Sequence, residues 1–253
     1  MKIIILAAGK GTRLMPLTRN TPKPLIDIGD GMTLLETQIE SIQKSNVVDE
    51  IIIITGYLSE QIEAKVNFYK KKGINIKTIY NPFYSTSNNL ISLWFARHEM
   101  NGSFLITNGD NIFSHEVFAN LVTKTGEGIT LIITKKNIEE FIDGDMKVTL
   151  SEDSKVIRVN KNINKENIHA ESPGLAKIEG EGQIKLFKDI LDELIRDEEN
   201  LQKFWLESFN ALSRKGIQVD TFEIDGKNQW REIDFHMDLM KFKGMLSEKV
   251  IKT

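Results

Sequence analysis

Two short and continuously apolar runs constrain the fold of this chain more than any other feature of its sequence. Residues 3–7 end in a glycine loop, and Glu50–Thr55 carries four consecutive isoleucines. Strands that are apolar on both faces are typical of a parallel sheet covered by helices. Between the two runs, residues 33–45 show apolar side chains at helical spacing, and Thr33 and Glu36 form a capping-box pair. The segments predict a strand–helix–strand unit with a right-handed crossover.

The same alternation of strand and helix patterns continues through the rest of the chain. Further helices are predicted at 59–72, 88–100, 183–196, 201–215 and from about residue 235. Further strands are predicted at 74–80, 103–107, 129–134, 147–150, 156–159, 175–178 and 218–224. We therefore predict an α/β fold, a Rossmann-like and mostly parallel twisted sheet flanked by helices, with a smaller subdomain in the second half.

Charge and composition exclude several classes of function. The formal net charge is -3, and a general nucleic-acid binder needs a basic surface, so no nucleic-acid partner is expected. The absence of cysteine excludes disulfides, thiolate catalysis and cysteine zinc sites. The apolar start of the chain reaches Gly9 too soon for a signal peptide, and no other apolar run approaches bilayer length. We expect a cytoplasmic protein with no membrane partner.

The loop after the first strand is a candidate anion site. Residues 6–14 read LAAGKGTRL, so small residues let a ligand approach the backbone N–H groups, while Thr12 and Arg13 offer polar contacts to phosphate. The P-loop spacing is missing, and Leu14 stands where the dinucleotide fingerprint needs its third glycine. An ordinary strand-to-loop turn remains the alternative for the two glycines alone.

A lysine fixed between two prolines follows this loop. Pro22 and Pro24 each lock their own φ and restrict the preceding residue, so Lys23 is presented on a stiff backbone. A solvated lysine in a proline turn is the other interpretation, and the nearby Arg13 makes it the less favoured one.

The ordered string AAGxGTRLxPLT at residues 7–18, followed by PKPL at 22–25, resembles the signature of the sugar-nucleotide pyrophosphorylase superfamily. Members of that superfamily transfer a nucleoside monophosphate from a triphosphate to a phosphorylated acceptor and release pyrophosphate. The resemblance implies the nucleotide-diphospho-sugar transferase type of fold, with a nucleotide-binding half at 1–128 and an acceptor-binding half at 129–253. It implies nucleotide contacts at Leu6, Ala8, Gly9, Gly11 and Thr12, and catalytic charge neutralisation by Arg13 and Lys23.

The same resemblance implies Mg²⁺ as the cofactor, held by one aspartate at each of two places. Asp110 follows a buried strand, and Asp234 lies just before the final helix in the segment WREID. Carboxylates at strand ends are suitable ligands for a divalent cation. Taken alone, Asp110 is also compatible with a turn residue and Asp234 with a helix N-cap.

Three residues are assigned to the acceptor. Lys161 lies where related enzymes bind the acceptor phosphate. Lys155, Arg158 and Lys165 are close by and are alternative candidates for this position. Trp230 and Glu232 adjoin the second aspartate. The candidates for a cation–π cage are Phe83, Tyr84, Trp94, Trp205 and Trp230. Trp94 and Trp205 fall in predicted helices, where an aromatic at helical spacing is usually core.

The segment led by Asn88 resembles the phosphocholine cytidylyltransferase-like branch of the superfamily, which assigns Asn88 to the nucleotide. We therefore predict transfer of CMP from CTP to a small phosphorylated or phosphonate acceptor, such as phosphocholine or 2-aminoethylphosphonate, by a possible homodimer. A sugar-1-phosphate nucleotidylyltransferase that uses UTP or dTTP, and a non-catalytic nucleotide-binding regulatory subunit, remain alternatives. His169, Glu171 and Pro173 match no assigned role.

Overall fold

The computed structural model describes residues 1–29 and 31–251 of the chain, with side chains up to residue 245. The strands are β1 (Lys2–Leu6), β2 (Asp27–Gly29), β3 (Met32–Thr33), β4 (Glu50–Thr55), β5 (Ile76–Tyr80), β6 (Phe104–Asn108), β7 (Asn111–Phe113), β8 (Gly128–Ile133), β9 (Lys147–Leu150), β10 (Val156–Asn160), β11 (Ala170–Glu171), β12 (Leu175–Glu179), β13 (Asp220–Glu223) and β14 (Trp230–Glu232).

The α-helices are α1 (Leu34–Ser45), α2 (Ser59–Lys71), α3 (Asn89–Phe95), α4 (His115–Lys124), α5 (Glu181–Leu194), α6 (Glu207–Arg214) and α7 (His236–Ile251). Short 3-10 turns cover Thr12–Leu14, Leu17–Arg19, Lys23–Leu25, Ala96–Glu99, Ile138–Glu140, Lys165–Asn167 and Glu198–Gln202.

A mostly parallel sheet forms the centre of the molecule. Within the described residues it has seven strands in the order β13-β8-β12-β6-β1-β4-β5. Strand β12 is antiparallel to both of its neighbours, and the other pairings are parallel. The predicted fold class is therefore confirmed. Because β8, β12 and β13 come from the second half of the chain, both halves contribute to one sheet, and their division by function stays a prediction.

The apolar runs of the sequence explain the layering. Successive side chains of a strand point to opposite faces, so alternate residues of β1 pack against the helices on opposite sides of the sheet. Ile3 packs in the cluster that includes α1, α2 and α4, whereas Ile4 packs in the cluster that includes α3, α5 and α6. Both isoleucines are fully buried. The centre of the sheet is thus covered on both sides.

Some local predictions were accurate and others were wrong. The capping box of Thr33 and Glu36 starts α1 as predicted. The continuous helix predicted at 201–215 was wrong, because α6 begins only at Glu207. Ahead of it, the fully buried Trp205 donates its backbone N–H to Asn89 Oδ1 (2.8 Å). That bond to a different helix diverts the chain from helical hydrogen bonding at this point.

Smaller sheets accompany the main one. A separate three-stranded sheet has the order β10-β9-β11, and β7 pairs antiparallel with β14. The parallel strands β1, β4 and β6 end at the same edge, which is where open α/β sheets usually bind ligands. Among the described residues, no helix combines the length and apolar character needed to cross a bilayer.

Candidate active site

A cavity lies beyond the carboxyl ends of β1 and β6, and every residue that the sequence assigned to the site lines it. These residues are Leu6, Ala8, Gly9, Gly11, Thr12, Arg13, Lys23, Asn88, Asp110, Lys161, Trp230, Glu232 and Asp234. The structure therefore brings together segments that are up to about 230 positions apart in the sequence. Their proximity agrees with the predicted site, while the individual roles stay predictions.

The loop after β1 requires glycine at position 11. Gly11 has φ of 61°, in the left-handed region, and a Cβ there would lie 3.0 Å from Lys23 Cβ and from Thr18 Cγ2. The Thr18 hydroxyl donates to the Gly11 carbonyl (2.8 Å) and holds the loop closed. The backbone N–H groups of residues 9–12 donate to no acceptor among the described residues. They are therefore available to an anion.

Lys23 joins the two predicted metal ligands. Its Nζ lies 2.7 Å from Asp110 Oδ2 and 3.0 Å from Asp234 Oδ1. Arg13 also forms an ion pair with Asp234, and its guanidinium lies 5.4 Å from the centroid of the Phe235 ring. Two cations thus neutralise two carboxylates. The same cations would be attracted to the phosphates of a bound nucleotide.

A short ladder brings the two aspartates together. Asp110 lies in the turn between β6 and β7, and Asp234 follows β14, which pairs with β7. The Ile233 backbone N–H donates to the Asp110 carbonyl (3.0 Å). The helix after Asp234 is capped by Asp238, whose Oδ2 accepts from the Phe235 N–H (2.7 Å). The Asp234 side chain instead faces Lys23, so capping does not account for it.

The two aspartates fit the oxygen ligands that a divalent cation prefers. Asp110 Oδ1 is buried and has no hydrogen-bond partner among the residues that the structure describes. Within the part of the chain that the structure describes, no group of three or more acidic, histidine or cysteine side chains is arranged to hold a metal. Mg²⁺ is often bound by one or two carboxylates together with the phosphates of its substrate. Asp110 and Asp234 suit that arrangement, in which the nucleotide supplies other ligands.

The acceptor side of the cavity contains the predicted Lys161. Its Nζ lies 4.7 Å from the centroid of the Phe204 ring. Burial, together with the positive charge of Arg13, lowers the pKa of Lys161. The charged form of a partly buried lysine is stabilised when an anion binds beside it, because the anion replaces the water that burial has removed. Lys161 is therefore suitably placed for the phosphate of an acceptor.

Sequence reasoning missed a second charged cluster on this side. Glu171 and Asp145 line the cavity, and the Lys136 ammonium lies 2.7 Å from Glu171 Oε2 and 2.6 Å from Asp145 Oδ2. Burial raises the pKa of Glu171 to about 7, although Lys136 opposes that effect. The sequence offered one signal for this cluster, the acidic Glu171 among the small residues of the segment AESPG. The neighbouring sequence did not indicate that Lys136 and Asp145 would be its partners.

The three tryptophans differ in their surroundings. Trp205 is fully buried beneath the cavity, and its Nε1 donates to Asn108 Oδ1 (2.9 Å). Trp94 packs against Arg97, whose guanidinium lies 3.7 Å from the ring centroid, and does not line the cavity. Trp230 is half-buried and donates to Asn111 Oδ1 (3.0 Å). Of the three, only Trp230 offers a partly exposed ring to the cavity.

Asn88 and Glu232 have clear structural environments. The Asn88 side chain accepts from the Asn89 N–H (2.8 Å) at the start of α3 and donates to the Gln202 carbonyl (3.2 Å). A helix cap therefore accounts for much of its hydrogen bonding. Glu232 faces the open cavity, yet the surrounding protein and the nearby Asp110 carboxylate raise its pKa.

Comparison with known proteins finds relatives with related chemistry. A family model described as nucleotidyl transferase matches residues 2–142. The choline-phosphate cytidylyltransferase of Streptococcus pneumoniae is 40% identical over 125 residues, which cover 49% of this chain and 51% of that protein. The CTP:phosphoglutamine cytidylyltransferase of Campylobacter jejuni is 26% identical over 258 residues, which cover 94% of this chain and 98% of that protein.

A solved structure extends this similarity over nearly the whole chain. The CTP:phosphocholine cytidylyltransferase from Streptococcus pneumoniae superposes with a TM-score of 0.76 and 27% identity. The match covers 97% of this chain and 98% of that one. The sequence match to the first curated relative, by contrast, spans about half of that protein's length.

Proposed function

Because the chain belongs to the nucleotidyl transferase family, we propose that it transfers CMP from CTP to a small phosphorylated or phosphonate acceptor and releases pyrophosphate. The observation that carries this proposal is the convergence of Lys23 and Arg13 on Asp110 and Asp234, beside a loop whose N–H groups donate to no acceptor in the part of the chain that the structure describes. Such a site offers positive charge and backbone donors to a triphosphate.

The nucleotide would lie across the loop that follows β1. The free N–H groups at residues 9–12 and the Arg13 guanidinium would hold the β- and γ-phosphates, since both are donors suited to phosphate oxygens. Leu6, Ala8 and Gly9 line the cavity where small residues allow the base and ribose to approach. Asn88 begins a helix at the same wall.

The transfer is an in-line displacement at the α-phosphorus of CTP. An oxygen of the acceptor phosphate or phosphonate forms a bond to that phosphorus, and the bond to the bridging oxygen of pyrophosphate breaks. The leaving pyrophosphate takes the electron pair. Because the acceptor oxygen is already anionic near neutral pH, no general base is needed. The protein contributes alignment and neutralisation of charge.

Lys23 and Arg13 supply that neutralisation by moving from carboxylate partners to the phosphates of the nucleotide. Both cations contact Asp234, and Lys23 also contacts Asp110. The arrival of the triphosphate draws Lys23 toward the α-phosphate and Arg13 toward the outer phosphates. When bound, Mg²⁺ held by Asp110 and Asp234 would neutralise further charge on the triphosphate.

The acceptor side favours a head group that carries a positive charge. Lys161 would bind the acceptor phosphate, and Trp230 and Glu232 line the wall nearby. Beyond it, Glu171 and Asp145 share a single lysine, Lys136, so the cluster is net negative once both carboxyls are ionised. A cationic or amino head group would balance that charge, whereas a neutral sugar would not. This supports phosphocholine or 2-aminoethylphosphonate as the class of acceptor.

The experiment is a pyrophosphate-release assay that pairs each of CTP, UTP, dTTP and ATP with phosphocholine, 2-aminoethylphosphonate and a sugar 1-phosphate. We expect release with CTP and an amino or ammonium acceptor. Lys23→Met and Asp110→Asn should lower kcat by about a hundredfold or more, because each removes charge from the reacting centre. Lys70→Met is the control, since Lys70 is an exposed lysine of α2 that does not line the cavity.

Three results would contradict the proposal. Near-normal turnover of the Lys23 or Asp110 variant with Mg²⁺ would refute the assigned roles. Preference for UTP or dTTP with a sugar 1-phosphate would establish the alternative transferase. Triphosphate binding without consumption under any pairing would identify a nucleotide-binding regulatory protein.

A further inference from the structure

Lys147 is a buried lysine that the transfer step does not use. It begins β9, the middle strand of the three-stranded sheet, and only 7% of it is exposed. A buried ammonium is costly unless its donors are satisfied. The Lys147 Nζ donates to the main-chain carbonyls of Ile142 (2.9 Å) and Lys161 (2.8 Å). Its hydrogen-bond partners are thus two backbone oxygens rather than a carboxylate.

These two carbonyls belong to two different segments, each of which supplies a residue to the acceptor side of the cavity. Ile142 lies in the loop that leads to Asp145, and both Asp145 and Lys161 line the cavity. The Ile142 N–H donates to Asp145 Oδ2 (2.9 Å), so a shift of Ile142 also moves that carboxylate. The side chain of Lys147 therefore spans from the acidic cluster to the predicted phosphate-binding lysine.

The backbone of Lys147 reinforces the same connection. In the β9 register, Lys147 lies opposite Asn160, the neighbour of Lys161, on one side and opposite Glu171 on the other. Its N–H also donates to the Asp145 carbonyl (3.1 Å). Lys147 thus contacts the segments that carry Lys161 and Asp145 and pairs with Glu171 in the sheet.

We propose that Lys147 is a positioning residue for the acceptor, which sets the distance between the phosphate-binding Lys161 and the acidic head-group cluster of Asp145 and Glu171. This inference rests on the proposed transfer to a small phosphorylated acceptor. This distance selects acceptors by length, because an acceptor must place its phosphate at Lys161 and its charged head group at the acidic cluster. The buried charge of Lys147 also adds positive potential beside Lys161.

The test compares Lys147→Met with Lys177→Met. Methionine keeps an unbranched stem of similar length but removes the donors and the charge. Lys177 is the comparison residue: it is fully buried, and its Nζ donates to the carbonyls of Thr125 (3.0 Å) and Gly126 (2.9 Å), away from the cavity. It also forms an ion pair with Glu179, so Lys177→Met is expected to cost at least as much stability as Lys147→Met. Both variants lose a buried lysine that ties two carbonyls, so a general loss of stability is common to both.

Two measurements separate positioning from stability. Hydrogen exchange of the ligand-free protein should become faster at residues 142–146 and 161–163 in Lys147→Met and stay unchanged there in Lys177→Met. The KM for phosphocholine should rise about tenfold or more in Lys147→Met, since small misplacements of binding groups have effects of this order. Its affinity for CTP alone should not change, and Lys147→Arg should restore much of the acceptor KM.

Each result decides the proposal. Unchanged exchange in both segments, or an unchanged acceptor KM, would overturn it, as would equal weakening of CTP binding. If the wild-type protein transferred CMP to no phosphorylated acceptor, the proposed function would fail first and the positioning role with it. If Lys147→Met did not fold, Lys147→Gln, which keeps one donor group without the charge, would be measured in the same way, with a smaller rise in KM expected.

Discussion

Replacing Glu171 by glutamine should remove a pH-dependent loss of stability from the ligand-free protein. Burial raises the pKa of Glu171 from its ordinary value of 4.5 to about 7, despite the adjacent Lys136. The unfolded chain therefore releases this proton at lower pH than the folded protein. Between these two pKa values the folded state binds more protons, so its stability falls as the pH rises.

The size of the effect follows from that difference in pKa. Each pKa unit corresponds to about 1.4 kcal/mol, so a rise from 4.5 to about 7 amounts to about 3 kcal/mol across the whole window. About 2 kcal/mol of that loss lies between about pH 5 and pH 8. For a chain of this length, this corresponds to a fall in Tm of about 4–8 °C. Glutamine does not titrate, so Glu171→Gln should lack this contribution.

The assay is denaturant unfolding of the wild-type protein and two variants at about pH 5 and pH 8. Glu223→Gln is the control, because Glu223 is an exposed partner of Lys135 (2.8 Å) at the edge of the sheet. The free energy of unfolding of Glu171→Gln, relative to wild type, should become more favourable by about 2 kcal/mol at the higher pH. Identical pH dependence in wild type and Glu171→Gln would refute the reasoning.

Two further predictions concern the metal and the cavity wall. Chelation of divalent cations should abolish turnover but leave the Tm of the ligand-free protein unchanged, because neighbouring cations already neutralise Asp110 and Asp234; a fall in Tm on chelation would contradict this. Gly174→Ala should destabilise the fold by about 2–3 kcal/mol in denaturant unfolding, since Gly174 has φ of 75° and its Cβ would lie 2.5 Å from Asn108 Nδ2. Gly182→Ala, in open space within α5, should be neutral or stabilising, and an equal loss in both variants would contradict the reasoning.

The fold was predictable because its central strands carry an unambiguous pattern. The strands β1 and β4 are apolar on both faces, so the sequence indicated a covered parallel sheet without any long-range information. The helix α4 was missed although Val117, Phe118 and Leu121 provide a readable apolar face. The strands β7 and β14 have three residues each, which is too short for an alternating pattern to stand out.

The candidate site was predictable where its residues belong to contiguous motifs. Arg13 and Lys23 lie in one ordered string, and the resemblance drawn from that string is confirmed by the relatives of the chain. The cluster of Lys136, Asp145 and Glu171 could not be predicted in the same way. Its members come from three separate segments, because Lys136 follows β8, Asp145 precedes β9 and Glu171 ends β11.

The pairing of β7 with β14 also determines when the site can first exist during synthesis. The loop after β1, Lys23 and Asp110 all leave the ribosome while much of the chain is still untranslated, and N-terminal parts of a protein can begin to fold at that stage. Asp234 follows only after β14 has been made and has docked on β7. A nascent chain therefore carries the loop after β1 well before it carries both carboxylates, and β14 is the strand that brings the second of them to the site.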